Sequence, residues 1–115
     1  MKNSILEKIY KQLDEKQAED ILILEVGKIS SIADHFVIAS ADNERKVKAI
    51  ADSIEDELAK EGIEPRAKEG FDTARWILLD YGDVMVHVFK DEERSFYNIE
   101  KIWKDALNIT SEFEN

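Results

Sequence analysis

Asp80 and Asp83 bracket a turn at Gly82, and paired carboxylates at a turn can hold a Mg²⁺ ion when a phosphate supplies further oxygens. Solvated carboxylates are the ordinary alternative, because tight turns favour Asp in any case. His35 and His87 fall in separate apolar runs, with no His-x-x-x-His or Glu-x-x-His spacing near either. Imidazoles at a strand surface or boundary are therefore preferred to metal ligands. Ser30, Ser31 and Ser40 could serve as nucleophiles, but no Gly-x-Ser-x-Gly elbow surrounds them. The four glycines, at 27, 62, 70 and 82, form no cluster whose amides could converge on a phosphate. With no cysteine there is no thiol nucleophile, thiolate zinc site or disulfide. None of these patterns requires an enzyme, a cofactor or a metal.

Two surfaces remain. Arg45, Lys46 and Lys48 open a helix and read as a solvated face. The run from Arg75 to Phe89 is more informative, because two apolar segments flank Tyr81-Gly82-Asp83-Val84 as in a hairpin. A two-residue Gly82-Asp83 loop, with glycine first as a type II′ turn requires, pairs Tyr81 with Val84. The alternative Tyr81-Gly82 loop would set Asp80 against Asp83, like charge against like. With the preferred loop, Ile77, Leu79, Tyr81, Val84, Val86 and Val88 share one almost purely apolar face. The other face carries Trp76, Leu78, Asp80, Met85, His87 and Phe89. Patterning leaves open whether a helix covers that mixed face or whether it is an exposed aromatic patch suited to binding a protein.

The elements that must position this hairpin are legible around it. Ile5, Leu6, Ile9 and Leu13 recur at helical spacing, which predicts a helix over 4–16 with Ser4 as its cap. Residues 21–26 and 35–39 read as strands. Asp42 is placed to cap a long helix with the stripe Val47, Ile50, Ala51, Ile54 and Leu58, stopped by Gly62 ahead of Pro65. Arg66 to Lys68 predicts a short edge strand. A last helix opens at Asp91, with Glu92 and Glu93 in its first turn, and presents Ile99, Ile102, Trp103 and Ala106. The class is α/β: one domain over 1–107, a mixed sheet flanked by helices, and a flexible tail over 108–115.

Composition sorts the partners. In 115 residues, 16 Lys+Arg stand against 26 Asp+Glu, a net charge of -10, while 43% hydrophobic residues exclude a disordered acidic tail. Polyanions such as nucleic acid or an anionic membrane are disfavoured, and a basic macromolecule would be steered toward the chain. The first sixteen residues hold no apolar run of signal-peptide length, so a cytoplasmic location is expected.

At three blocks the sequence resembles the ribosomal silencing factor family, which includes the iojap-related proteins. The first block is Asp20 to Leu24 with Ser30 to Ser40; the second is Arg45 with Val47 to Asp52. The third is Glu69-Gly70 and Ala74 to Phe89, followed by Glu93-Arg94 and Phe96-Tyr97 to Trp103. The resemblance implies a nucleotidyltransferase-like fold and binding to the large ribosomal subunit through its basic protein number fourteen. Such binding would block joining of the small subunit and lower translation when nutrients are scarce. It further implies a homodimer when free, and the net charge of -10 adds the expectation of little direct contact with nucleic acid. On this reading Trp76 and Leu78 are anchors flanked by Met85 and Phe89, while Asp80, Tyr81, Asp83 and His87 meet basic groups of the partner. The fold kinship also raises an enzyme using Asp80 and Asp83 with a divalent metal, although the Gly-Ser and paired-carboxylate signature of active nucleotidyltransferases is missing. One departure stands out: Ala41 occupies a place where the family usually has glycine, which predicts an altered loop before the second helix.

Overall fold

The computed structural model describes residues 4–114. Leu6, Ile9 and Leu13, one helical turn apart, form the buried stripe of α1, Ser4–Glu15. Ser4 is itself helical, so the position that would cap α1 lies outside the described residues. The two apolar runs that follow become β1, Glu19–Glu25, and β2, His35–Ala41. Ala41 is fully buried at the end of β2 and is not among the residues with positive φ, so a side chain is no obstacle there.

Helix α2, Glu44–Ala59, buries all five residues of its predicted stripe. Its cap is Asn43, one residue later than predicted: the Asn43 side chain accepts the Lys46 backbone N–H at 2.8 Å. Asp42 Oδ1 accepts instead from Asn43 Nδ2 at 2.9 Å. Beyond the turn at Gly62 come β3, Ala67–Glu69, then β4, Trp76–Asp80, and β5, Val84–Lys90. The strand order is β3-β4-β5-β2-β1-β6, where β6 is Leu107–Asn108. β2 and β5 run parallel, joined by a crossover through α2, and the other neighbouring strands pair antiparallel. The mixed α/β sheet is as predicted.

The end of the chain departs from expectation. The single last helix is broken into α3, Asp91–Tyr97, and α4, Ile99–Ile102, because Asn98 between them is left-handed at φ 47. Asparagine tolerates that conformation better than most residues. The break splits the predicted stripe: Ile99 is buried, but Ile102 is 71% exposed. The segment after 107, expected to fray, is packed instead. Leu107 and Asn108 pair with β1, Ile109 N–H donates to the Ile23 carbonyl at 2.9 Å, and the Ile23 amide donates to Thr110 Oγ1 at 2.8 Å. Ile109 and Phe113 are buried, so the segment covers the outer edge of β1.

Two cores lie on opposite faces of the sheet. One joins α1 and α2 to Ile77, Leu79, Val86 and Val88. The other sets Ile99, Trp103 and Ala106 against Phe36, Ile38, Phe89 and Trp76.

Candidate functional site

The β4–β5 hairpin is built as its residue types dictate. Trp76 opposes Phe89, Leu78 opposes His87 and Asp80 opposes Met85, the register of the Gly82-Asp83 loop. Gly82 takes φ 86, which glycine adopts without steric cost, and the Tyr81 amide closes the turn on the Val84 carbonyl at 2.9 Å. The Asp83 carbonyl accepts the amides of Asp34 and His35 at 2.9 and 3.0 Å, tying the turn to the start of β2.

Delivery of Trp76 depends on the loop before it. Gly70 sits at φ 87, and a Cβ there would collide with the Trp76 carbonyl. The Ala74 amide donates to the Gly70 carbonyl at 2.9 Å, with Ala74 itself left-handed at φ 56. Backbone thus packs on backbone where the strand begins. Glu69-Gly70 belongs to the family-like block, but its mechanical role is not visible without the close approach.

The mixed face is half covered. Helix α3 leans on β5 and β2. Phe89 beneath it is 0% exposed and His87 6% exposed, so neither is available as the surface contact predicted for it. The reason is the cover: Phe89 lies under the Trp76 ring, and His87 sits among the rings of Phe36, Trp76 and Phe89. Trp76, Leu78, Asp80 and Met85 are half-buried, and Asp83 is exposed. Tyr81 lies on the opposite face against the aliphatic core, with its hydroxyl buried and without a partner among the described residues. Burial, aided by Glu55 and Glu64, raises its pKa.

Aromatic rings organise the covered half. Trp76 stacks on Phe89 with centroids 4.7 Å apart, and Tyr97 of α3 tilts against it at 4.9 Å. Phe36 meets His87 and Trp103 at 5.0 Å each. Trp76 Nε1 donates to His87 Nδ1 at 3.1 Å, and burial lowers the His87 pKa to about 4. Beside the ring cluster, Arg94 reaches into the sheet. Its Nε donates to Glu100 Oε1 at 2.8 Å, and its Nη1 donates to Ser40 Oγ at 3.1 Å and to the Glu19 carbonyl at 3.4 Å. This one cation ties α3 and α4 to β1 and β2. In the sequence Arg94 stands out only as part of the family-like block, directly after Asp91-Glu92-Glu93.

One member of the aspartate pair, Asp80, is already engaged within the chain. Asp80 accepts the Gly82 amide at 2.8 Å through one oxygen and pairs with Arg66 at 3.3 Å through the other. Among the described residues no group of three or more His, Cys, Asp or Glu is placed to hold a metal ion. Asp83 is exposed, and among the described residues its carboxylate has no hydrogen bond or ion pair.

The chain is similar to known proteins along nearly its whole length. A family model described as "Ribosomal silencing factor during starvation" matches residues 2–115. The ribosomal silencing factor RsfS of Bacillus subtilis is 50% identical over 103 residues, covering 90% of this chain and 87% of that protein. A crystal structure of a Chromobacterium violaceum protein gives a TM-score of 0.85 at 33% identity, covering 88% of this chain and 84% of that one. A crystal structure of a Bacillus halodurans protein gives 0.79 at 40% identity, covering 87% and 93%.

Proposed function

The chain belongs to the ribosomal silencing factor family, and from that premise we propose that it docks on the large ribosomal subunit and keeps the small subunit from joining. Its contact is the basic protein number fourteen of that subunit, and the outcome is lowered translation when nutrients are scarce. The observation that carries the reading is the uncovered half of the hairpin face. Trp76, Leu78 and Met85 are half-exposed on paired strands beside the acidic Asp83, with Asp80 at the rim. Large apolar anchors on a rigid sheet lose little entropy on binding and make effective hot spots.

Charge supplies selectivity. At -10 the domain is repelled by an RNA surface and steered toward exposed basic protein. Its action is exclusion, since a body of 34 × 33 × 29 Å cannot share a packed intersubunit contact. A factor of this kind works where ribosomes are, in the cytoplasm. For the free protein we infer a homodimer, supported by two exposed aromatics on α3, Phe96 and Tyr97, whose rings meet at 5.1 Å.

Co-sedimentation with purified large subunits tests the docking. Trp76→Ala weakens it by roughly 30-fold or more, as expected for a central hot spot, while circular dichroism is unchanged. Unchanged co-sedimentation would show that Trp76 is not an anchor. Sucrose-gradient analysis of subunit joining tests the outcome. Full assembly of the joined ribosome in the presence of saturating protein would sink the mechanism.

A further inference from the structure

The proposed docking role of Trp76, on which this inference rests, needs the indole held in one orientation. Trp76 lies on β4, partly exposed, where a tryptophan on a strand has more than one staggered orientation open to it. Its N–H is a donor with no acceptor capacity, so whatever receives it must offer a lone pair. His87 Nδ1 lies 3.1 Å away. Leu78 opposes His87 in the register and Trp76 opposes Phe89, so His87 is the diagonal neighbour of Trp76 on the same face. Aromatic and long side chains span that diagonal.

The hydrogen bond settles the imidazole's chemistry. Because Nδ1 accepts, the ring is neutral with its proton on Nε2. That Nε2 is buried without a hydrogen-bond partner among the described residues, and the ring is enclosed by Phe36 at 5.0 Å, Phe89 at 6.1 Å and Trp76 at 6.0 Å. An imidazole enclosed among rings with one nitrogen unsatisfied is a poor choice for packing alone, since an aliphatic side chain would carry no desolvation cost. What the imidazole adds is a directional acceptor for the one polar atom of the Trp76 side chain.

We infer that His87 is a positioning residue: through Nδ1 it fixes the Trp76 indole in the orientation that meets the partner, without touching the partner itself. The Phe89 ring stacked under the indole supports the ring plane but does not decide between the two flipped orientations about Cβ–Cγ that share it. The hydrogen bond removes that freedom. Loss of one neutral hydrogen bond of this kind corresponds to up to about tenfold in affinity.

The wild-type chain gives the first test. In ¹⁵N-labelled protein at neutral pH, an N–H···N bond transmits a ¹⁵N–¹⁵N coupling between Trp76 Nε1 and His87 Nδ1, and the imidazole shows the Nε2–H tautomer. The Trp76 indole resonance is assigned by its loss in Trp76→Phe. A His87 protonated on Nδ1, with no coupling, would overturn the inference. Two variants give the second test. His87→Leu keeps the fold by circular dichroism, shifts the indole N–H resonance and weakens co-sedimentation with purified large subunits by about tenfold. His87→Asn, whose side-chain oxygen stands near the place of Nδ1, restores both. An unmoved indole resonance in His87→Leu overturns positioning. So does a displaced indole with wild-type co-sedimentation, provided Trp76→Ala still fails to bind. If Trp76→Ala binds like wild type, the anchor role falls instead, whatever the coupling shows.

Discussion

The two faces of the β4–β5 hairpin share a backbone and differ in almost everything else. Toward α1 and α2 stand Ile77, Leu79, Val86 and Val88, all at 0% exposure and free of polar atoms. Toward α3 and α4 stand Trp76, Leu78, Met85, His87 and Phe89, where rings replace aliphatic chains and covering stops partway across. The first face is covered by helices of 12 and 16 residues, the second by helices of 7 and 4. The difference teaches a division of labour. One face stabilises the sheet, and the other uses that stability to hold large side chains at the surface.

Cutting into each face in turn tests that division most severely. Leu79→Ala is expected to lose about 3 kcal/mol in urea denaturation, through lost burial and the cavity left behind. Below its unfolding transition it should co-sediment with large subunits as wild type does. Met85→Ala, at a half-exposed site, should cost about 1 kcal/mol or less yet reduce co-sedimentation. Equal stability losses for the two variants would erase the contrast between the faces.

Acid should weaken the mixed face selectively. Burial lowers the His87 pKa to about 4 from 6.5, so above pH 6.5 the imidazole is neutral in both folded and unfolded chains. As pH falls, the unfolded chain takes up the proton first. The stability present above the unfolded value is therefore lost between 6.5 and about 4, by at most about 3 kcal/mol. Denaturation midpoints of wild type and His87→Leu, compared across that window, should show wild type losing stability relative to the variant as pH falls. A constant difference would show that the buried imidazole is not the titrating group.

Smaller effects sharpen the picture. Arg94→Met removes the cation joining α3 and α4 to β1 and β2, leaving Glu100 without its partner, and should cost about 2 kcal/mol in thermal or urea unfolding. Hydrogen exchange should rise first in α3 and α4, while α1 and α2 stay protected. At the hairpin corner, Arg66→Ala breaks an ion pair whose arginine is largely exposed and should change stability by less than about 1 kcal/mol. If Asp83 is the acidic contact, docking should be insensitive to that change and should fall in Asp83→Asn.

Legibility followed the range of the forces involved. The α2 stripe was readable because 3.6-residue periodicity is a local property. So was the hairpin register, because one glycine at the first loop position selects one turn. The break at Asn98 was not, since the acidic first turn and the apolar residues beyond it suggest one continuous helix. Tail packing was missed for a related reason: Ile109 and Phe113 are too few for a periodic signal, and their burial depends on an open edge of β1 far away in sequence. Of the binding residues expected on the mixed face, Trp76, Leu78 and Met85 reach the surface, whereas Phe89 and His87 do not. Alternation tells which side chains share a face but not how far a helix extends over it.

By itself the sequence determined the α/β class, the pairing of the hairpin, the composition of its two faces and a charge that disfavours nucleic acid. Each of these is set by neighbours within a few residues or by simple summation along the chain. Only tertiary structure decided which residues of the mixed face stay open, that Gly70 must yield space to the Trp76 carbonyl, and that His87 turns inward to take the indole proton donor. Those outcomes depend on where α3, the loop before β4 and two strands meet in space, and no local pattern encodes the meeting.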